Sequence, residues 1–267
     1  MRQFRHTASA DVSLRQNESN TFALQHSWHI FGSNAVYSMI PKNGCSSIRY
    51  SIALANGCIS GLQDLNWVHR NNGTFACDIK TAFGADYTFT VLRCPFRRIV
   101  SAFYDKIVCM DLQSWQLYNA TRRRVHPHDI TFDDFVDLIT SQPRRRLNDH
   151  WRHQVDFMLY RAYDDVFCVE NYAELVDTVQ RKIDFEIVDT RGALRHDLAS
   201  RSSEEIEDSE ASSRSAFDLL QEAKNGRTIA PRCFLHDRNI ARLADFYAED
   251  IALYQEHGFG KHMLCKA

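Results

Sequence analysis

Ala35-Val36-Tyr37-Ser38-Met39-Ile40-Pro41-Lys42-Asn43-Gly44-Cys45-Ser46-Ser47 is the stretch that decides the fold. Its first six residues form a short, mostly apolar run ended by a proline, the pattern of a buried strand. After a five-residue turn, Ile48, Ile52 and Ala55 recur at helical spacing, and Gly57 fits a C-terminal cap. A turn that joins a strand to a helix exposes free backbone N–H groups at the positive end of the helix dipole, where an anion is favoured. Gly44 allows close backbone approach, Ser46 and Ser47 carry hydroxyl donors, and Lys42 supplies a mobile charge. The GxxxxGK[ST] pattern is absent, and the lysine precedes the glycine. The turn therefore predicts a cradle for one phosphate-like group, not for two phosphates beside Mg²⁺. Simple helix capping by Ser and Gly is the structural alternative.

A second strand–turn–helix unit follows. Tyr87-Thr88-Phe89-Thr90-Val91-Leu92 is rich in β-branched and aromatic residues, and Pro95 suits a first helical turn. Phe96, Ile99, Val100, Phe103 and Ile107 then mark one helical face. Arg93 ends the strand, and Ser101 falls two turns into the helix, on the face that looks back toward it. Thr131 and Asp134 form a capping pair for a helix through Thr140. Val166–Val169 reads as a third buried strand, followed by a helix over Ala173–Lys182 and a final helix over Arg238–Gln255. This alternation predicts an α/β fold with a parallel sheet and helices on both faces. Residues 199–215 offer almost nothing to bury and read as a mobile polar insertion in an otherwise single domain spanning 1–267.

The formal net charge is −2, which calls for no nucleic-acid partner. The balance is uneven: 11 basic against 6 acidic residues in 1–110 point to a local anion site in that part. The eight cysteines are scattered, with no CxxC pair, so neither a zinc module nor a disulfide framework is predicted. Reduced core thiols fit better. No apolar run reaches the roughly 20 residues of a membrane helix. Three Asn-x-Ser/Thr tripeptides (Asn17, Asn72, Asn119) carry little weight.

The two turns together resemble the cofactor motifs of PAPS-dependent sulfotransferases, most closely the carbohydrate-type branch, sulfotransferase family 2. PAPS is 3′-phosphoadenosine 5′-phosphosulfate, and its product is the 3′,5′-diphosphate PAP. The first motif, roughly PKxGxTS, appears as Pro41–Ser47; the second, roughly RDPxxRxxSxY, appears as Arg93–Tyr104. Val169-Glu170-Asn171-Tyr172 and Tyr247–Tyr254 are similar to further family features. The resemblance spans about Val36 to Phe259. It implies a three-layer, P-loop-NTPase-like α/β fold. One departure stands out, since Cys94 replaces the usual Asp and removes an N-cap worth roughly 1 kcal/mol.

The resemblance implies a sulfotransferase that moves the sulfuryl group of PAPS to a hydroxyl of a glycan or glycoconjugate by in-line displacement. A hydroxylated small metabolite is the alternative acceptor. In this scheme Lys42 stabilises charge on the leaving bridging oxygen. Asn43, Gly44, Cys45, Ser46 and Ser47 hold the 5′-phosphate, while Arg93 and Ser101 hold the 3′-phosphate. No metal is required. In the heparan sulfate branch the base histidine lies between the two motifs, which selects His69, 24 residues before Arg93. Its structural alternative is a hydrogen-bonded histidine beside Trp67. His150 is the rival base, in Asn148–Gln154, an HWxxQ-like stretch expected to line the acceptor cleft. Trp151 there could stack on a sugar face, with Arg152 and Gln154 bonding polar groups. His150 with His153, or His126 with His128, could bind metal, but each pair lacks a convergent third ligand. Arg122–Arg124 and Arg144–Arg146 read as solvated basic surface before acceptor contacts.

Two further classes remain at this stage: a nucleotide kinase, disfavoured by the missing Walker A loop, and a non-catalytic nucleotide-binding module. Golgi relatives carry an N-terminal anchor that this sequence lacks. The expected location is therefore the cytoplasm, as in a bacterial-type enzyme, with a soluble form of a Golgi-lumenal enzyme as the alternative.

Overall fold

A computed structural model describes residues 2–7, 12–71, 73–120, 125–190, 192 and 204–265. In chain order the elements are α1 (Glu18–Gln25), β1 (Ser27–Ile30), β2 (Ala35–Ser38), α2 (Cys45–Ala55), α3 (Leu65–Arg70), α4 (Ile79–Gly84), β3 (Tyr87–Leu92), α5 (Pro95–Ala102), α6 (Leu112–Ala120), α7 (Phe132–Thr140), β4 (Asp165–Cys168), α8 (Tyr172–Ile183), β5 (Glu204–Ile206), α9 (Ala216–Lys224), β6 (Arg227–Ile229), α10 (Asp237–Phe246) and α11 (Ala248–Glu256). They fall into two compact units. The first comprises Met1–Arg93 and His153–Ala193, the second Cys94–Arg152 and Leu194–Ala267.

The first unit is built on a four-stranded sheet in the order β1-β2-β3-β4. β2 pairs with β3, and β3 with β4, in parallel; β1 pairs with β2 antiparallel. Strand alternation sends Ala35, Tyr37, Phe89, Val91 and Phe167 to one face, where they pack against Ile48 and Ile52 of α2 and Leu175 and Val179 of α8. On the other face Val36 meets Ala23 of α1 and Ala82 of α4. Thr90 is buried, with its hydroxyl satisfied by Ser38 O at 2.9 Å. Helices therefore cover both faces of a mostly parallel sheet, the three-layer α/β architecture that the two strand–turn–helix stretches predict. β1 is the element the sequence did not signal. Its four residues, Ser-Trp-His-Ile, show neither an apolar run nor a clean alternation.

The second unit is largely helical. Phe103 is fully buried at its centre, with ring centroids 5.3 Å from Phe132, 5.5 Å from Phe135 and 6.1 Å from Phe234. α7 starts at the predicted capping pair, in which Thr131 and Asp134 exchange side-chain-to-backbone hydrogen bonds. Two elements differ from expectation. The helix predicted through Ile107 is α-helical only to Ala102 and continues as a π-helical turn over Phe103–Val108. The long final helix is two helices that break at Tyr247, a buried residue whose hydroxyl donates to Trp151 O. Of the polar stretch 199–215, residues 199–203 lie outside the described residues. The rest does bury side chains, contrary to the sequence expectation. β5 pairs in parallel with β6, Ala211 and Ser212 are buried, and Arg214 forms ion pairs with Asp208 at 2.9 Å and Glu222 at 3.1 Å. Among the described residues no helix is long and apolar enough to cross a membrane.

In the first unit, Asp164 ties the start of β3 to the chain entering β4. Its carboxylate accepts from Thr88 N at 2.7 Å and Thr88 Oγ1 at 2.9 Å, and pairs with Arg2 at 2.6 Å. Burial alone would raise its pKa, but the bonds from Arg2 and Thr88 hold it below the usual carboxylate value. A depressed pKa stabilises the fold above the unfolded value and ceases to do so as pH falls through the folded one. Asp164→Asn should therefore lower stability by about 1 kcal/mol at pH 7. The gap to the parent should close as pH falls below about 4, the unfolded carboxylate value. Urea midpoints at several pH values read both effects.

Candidate active site

The loop between β2 and α2 is shaped by two left-handed residues, Lys42 at φ 72° and Gly44 at φ 71°. Lysine in this region is uncommon and marks a turn held by its surroundings. Gly44 is required twice over. Its backbone lies where glycine is preferred, and a Cβ there would sit 2.9 Å from Cε2 of Tyr172. Gly44, the N-cap of the 11-residue helix α2, offers no side-chain hydrogen bond to its first-turn N–H groups. Such an end, with Lys42 half-buried two residues before it, suits a phosphate-sized anion. Beneath it, burial pushes the Tyr37 phenol well above its usual range, and Cys45 and Tyr172 add to the shift, so Tyr37 stays neutral.

The expected loop residues do different jobs. Cys45 and Ser46 are half-buried at the helix start. Ser47 is turned inward, its Oγ accepting from Thr190 N at 3.2 Å and lying 3.0 Å from Thr190 Oγ1. Its hydroxyl anchors α2 to the segment after α8. Asn43 is fully buried and points down toward the sheet, donating to Val91 O at 2.8 Å and to Gln154 Oε1 at 2.7 Å.

The loop and the end of β3 form one hydrogen-bonded assembly. Arg93 Nη1 donates to Lys42 O at 2.8 Å. The Gln154 amide clamps the Arg93 backbone from both sides, accepting from Arg93 N and donating to Arg93 O, each at 3.0 Å. Gln154 is 1% exposed. The sequence assigned it to the acceptor; the fold instead commits its amide to these internal partners. His69 is exposed near the end of α3, a short helix joined to α2 by a hydrogen bond from Arg49 Nη2 to Val68 O at 3.2 Å.

The remaining expected residues belong to the second unit. α5 opens at Cys94 with Pro95 in its first turn and no side-chain cap, and Ser101 is half-buried on it. Arg98, 1% exposed, donates to Arg152 O at 2.7 Å and to Asp149 O at 3.2 Å. That buried guanidinium holds the turn carrying His150, Trp151 and Arg152. Asn148 Oδ1 lies 3.1 Å from His150 N and 2.7 Å from His150 Nδ1, while Asn148 Nδ2 donates to Gln116 Oε1 at 3.3 Å. Asn148, linked in turn to Gln116, thus holds the His150 ring in place through Nδ1. Trp151 is 3% exposed with its ring edge-on to Phe135 at 5.4 Å. It is a core residue, which removes the sugar-stacking platform expected from sequence. Arg152 is half-buried. Arg144 pairs with Glu249 at 2.8 Å and Arg145 and Arg146 are exposed, whereas Arg122–Arg124 lie outside the described residues. His126 and His128 contact each other's rings at 4.9 Å, and among the described residues no group of three or more His, Cys, Asp or Glu could hold a metal ion.

With this geometry in view, the comparison with known families is decisive for class. The chain matches the model described as "Sulfotransferase family" over residues 32–255 and belongs to sulfotransferase family 2. Comparison with curated proteins and with solved structures returned no match. Membership makes the chain a transferase that acts in sulfuryl transfer on a hydroxyl-bearing acceptor, in a family that generally uses PAPS as donor. The uncapped α2 end and the Gly44 turn fit the phosphosulfate end of that donor.

Tyr172, at the end of the Val169–Tyr172 stretch, packs its ring against Gly44 and disfavours any side chain there. Only the family pattern, not periodicity, marked that position. Gly44→Ala should lower PAP affinity by at least about tenfold through strain at positive φ and the contact with Tyr172, of order 1–3 kcal/mol. Calorimetric titration reads this, and an unchanged affinity would show that the loop tolerates a side chain there.

Proposed function

We propose that this protein transfers the sulfuryl group of PAPS to a hydroxyl of a glycan or glycoconjugate acceptor. The observation that carries the reading is the hydrogen bond from Arg93 to Lys42 O, which joins the two family motifs at the strand ends. PAPS, when bound, supplies a sulfuryl group on a good leaving group. The N–H groups at Gly44, Cys45, Ser46 and Ser47, with the Ser46 hydroxyl, hold the 5′-phosphate, and Asn43 braces that backbone from below. Arg93 takes the 3′-phosphate, and Ser101 keeps the hydroxyl role that its place in the second motif implies. Lys42 meets the charge that develops on the bridging oxygen, in a loose displacement where positioning and charge stabilisation dominate. No metal enters this scheme. The family match runs through both units, which supports one sulfotransferase domain. A hydroxylated small metabolite is the second acceptor class.

The acceptor hydroxyl gives its proton to a histidine. His69, between the two motifs, is the base by resemblance. A second reading favours His150, because its ring is held through Nδ1 by Asn148, as an oriented base requires. Arg152 is proposed to meet polar groups of the acceptor. The scattered spacing of the cysteines, with no CxxC pair, supports a reducing, cytoplasmic setting.

Lys42→Ala should cut turnover by about 10²–10³-fold while changing PAP affinity far less, since it acts on charge that appears only during transfer. Normal turnover in a PAPS-dependent assay would remove the lysine from the mechanism. Replacing His69 by alanine should slow transfer by about 10²-fold or more, with PAP binding intact. If His150→Ala does so and His69→Ala does not, the base is His150.

A further inference from the structure

Gln154 comes from a stretch read as acceptor-binding, yet it is spent where the two cofactor motifs meet. We propose that Gln154 is a positioning residue that registers the 5′-phosphate loop against the 3′-phosphate arginine, an inference that rests on the sulfotransferase reading of these motifs. Three features support it. A single carboxamide oxygen accepts from both Asn43 Nδ2 at 2.7 Å and Arg93 N at 3.0 Å. These partners are 111 and 61 residues distant in sequence, and one lies in each motif. The same amide also donates to Arg93 O at 3.0 Å, so the two backbone groups of Arg93 are gripped as a neighbouring strand would grip them.

The consequence concerns a ligand with two separated anions. Arg93 is held at its backbone through its own N–H and C=O, and the bond from Nη1 to Lys42 O directs its guanidinium toward the loop. Asn43 is locked between Lys42 and Gly44, so fixing its amide fixes the loop that carries both. One buried group thus sets the distance between the two anion positions. Misplacement by about 1 Å is enough to lose much of a simultaneous contact. Burial at 1% exposure keeps water from competing for these bonds and makes each costly to leave unmade.

A merely structural glutamine would lower stability and weaken every ligand alike. A registering glutamine affects chiefly ligands that use both positions. The test is therefore a ratio, measured by calorimetric titration of PAP and of adenosine 5′-phosphate, which lacks the 3′-phosphate. Gln154→Met keeps the length of the side chain and removes its hydrogen bonds. PAP affinity should fall about tenfold or more, and adenosine 5′-phosphate affinity by less than about threefold, so that the preference for PAP collapses. An equal loss for both ligands, or none for either, overturns the proposal. If the parent protein itself binds PAP no tighter than adenosine 5′-phosphate, the sulfotransferase reading fails instead. Should the variant not fold, glutamine-labelled parent protein decides by NMR. The Gln154 side-chain amide signal should shift more on adding PAP than on adding adenosine 5′-phosphate, and equal or absent shifts overturn the proposal.

Discussion

A buried carboxamide, Asn43, holds the candidate site to the sheet. Its donor hydrogens reach Val91 O and Gln154 Oε1, so the loop above it cannot lift away without exposing unpaired polar groups in the interior. Of the two left-handed residues on either side, Gly44 adopts its conformation freely, whereas Lys42 is strained and persists there because this anchor holds the turn. Everything the loop offers an anion follows from that. The α2 start, with no side-chain cap from Gly44, stands directly after that anchored turn.

The second unit repeats the same economy with a charge in place of an amide. Arg98 is almost wholly buried, and its guanidinium is answered by the carbonyl oxygens of Asp149 and Arg152. A planar fork of donors suits that role better than a lysine's point charge. The turn it grips carries His150, whose orientation is refined by Asn148 and, behind it, Gln116. In both units the motif residues with the clearest sequence signature are divided between groups that face outward and groups that hold the backbone in place.

That division explains what was legible beforehand. The sheet and its helices could be read because Tyr87–Leu92 and Ile48–Ala55 carry strong periodicity, and because Pro41 and Pro95 punctuate their turns. The anion turn could be read because Gly44 and Lys42 have few other reasons to stand together at the start of a helix. Ser47, Trp151 and Gln154 turn inward, which the sequence could not signal, for a common reason. A hydroxyl, an indole and an amide bind a ligand or an interior partner with equal competence, and only burial tells which. Thr190, the partner of Ser47, lies 143 residues further along the chain, beyond the reach of any local pattern. β1 escaped notice because four residues without alternation leave no signal at all.

The first unit is interrupted in sequence, and this governs how the chain can assemble. β4 pairs with β3 through Phe89 and Asp165, and Gln154 reaches Arg93 from 61 residues downstream. During synthesis the first 93 residues emerge with the β3 edge unpaired and the anion turn unclamped. Loop closure over such separations is slow relative to local helix formation, so the last ladder forms after most of the second unit's first segment is already made. The clamp of Gln154 on Arg93 is therefore a late-folding feature, acquired only when the chain returns to the sheet it began.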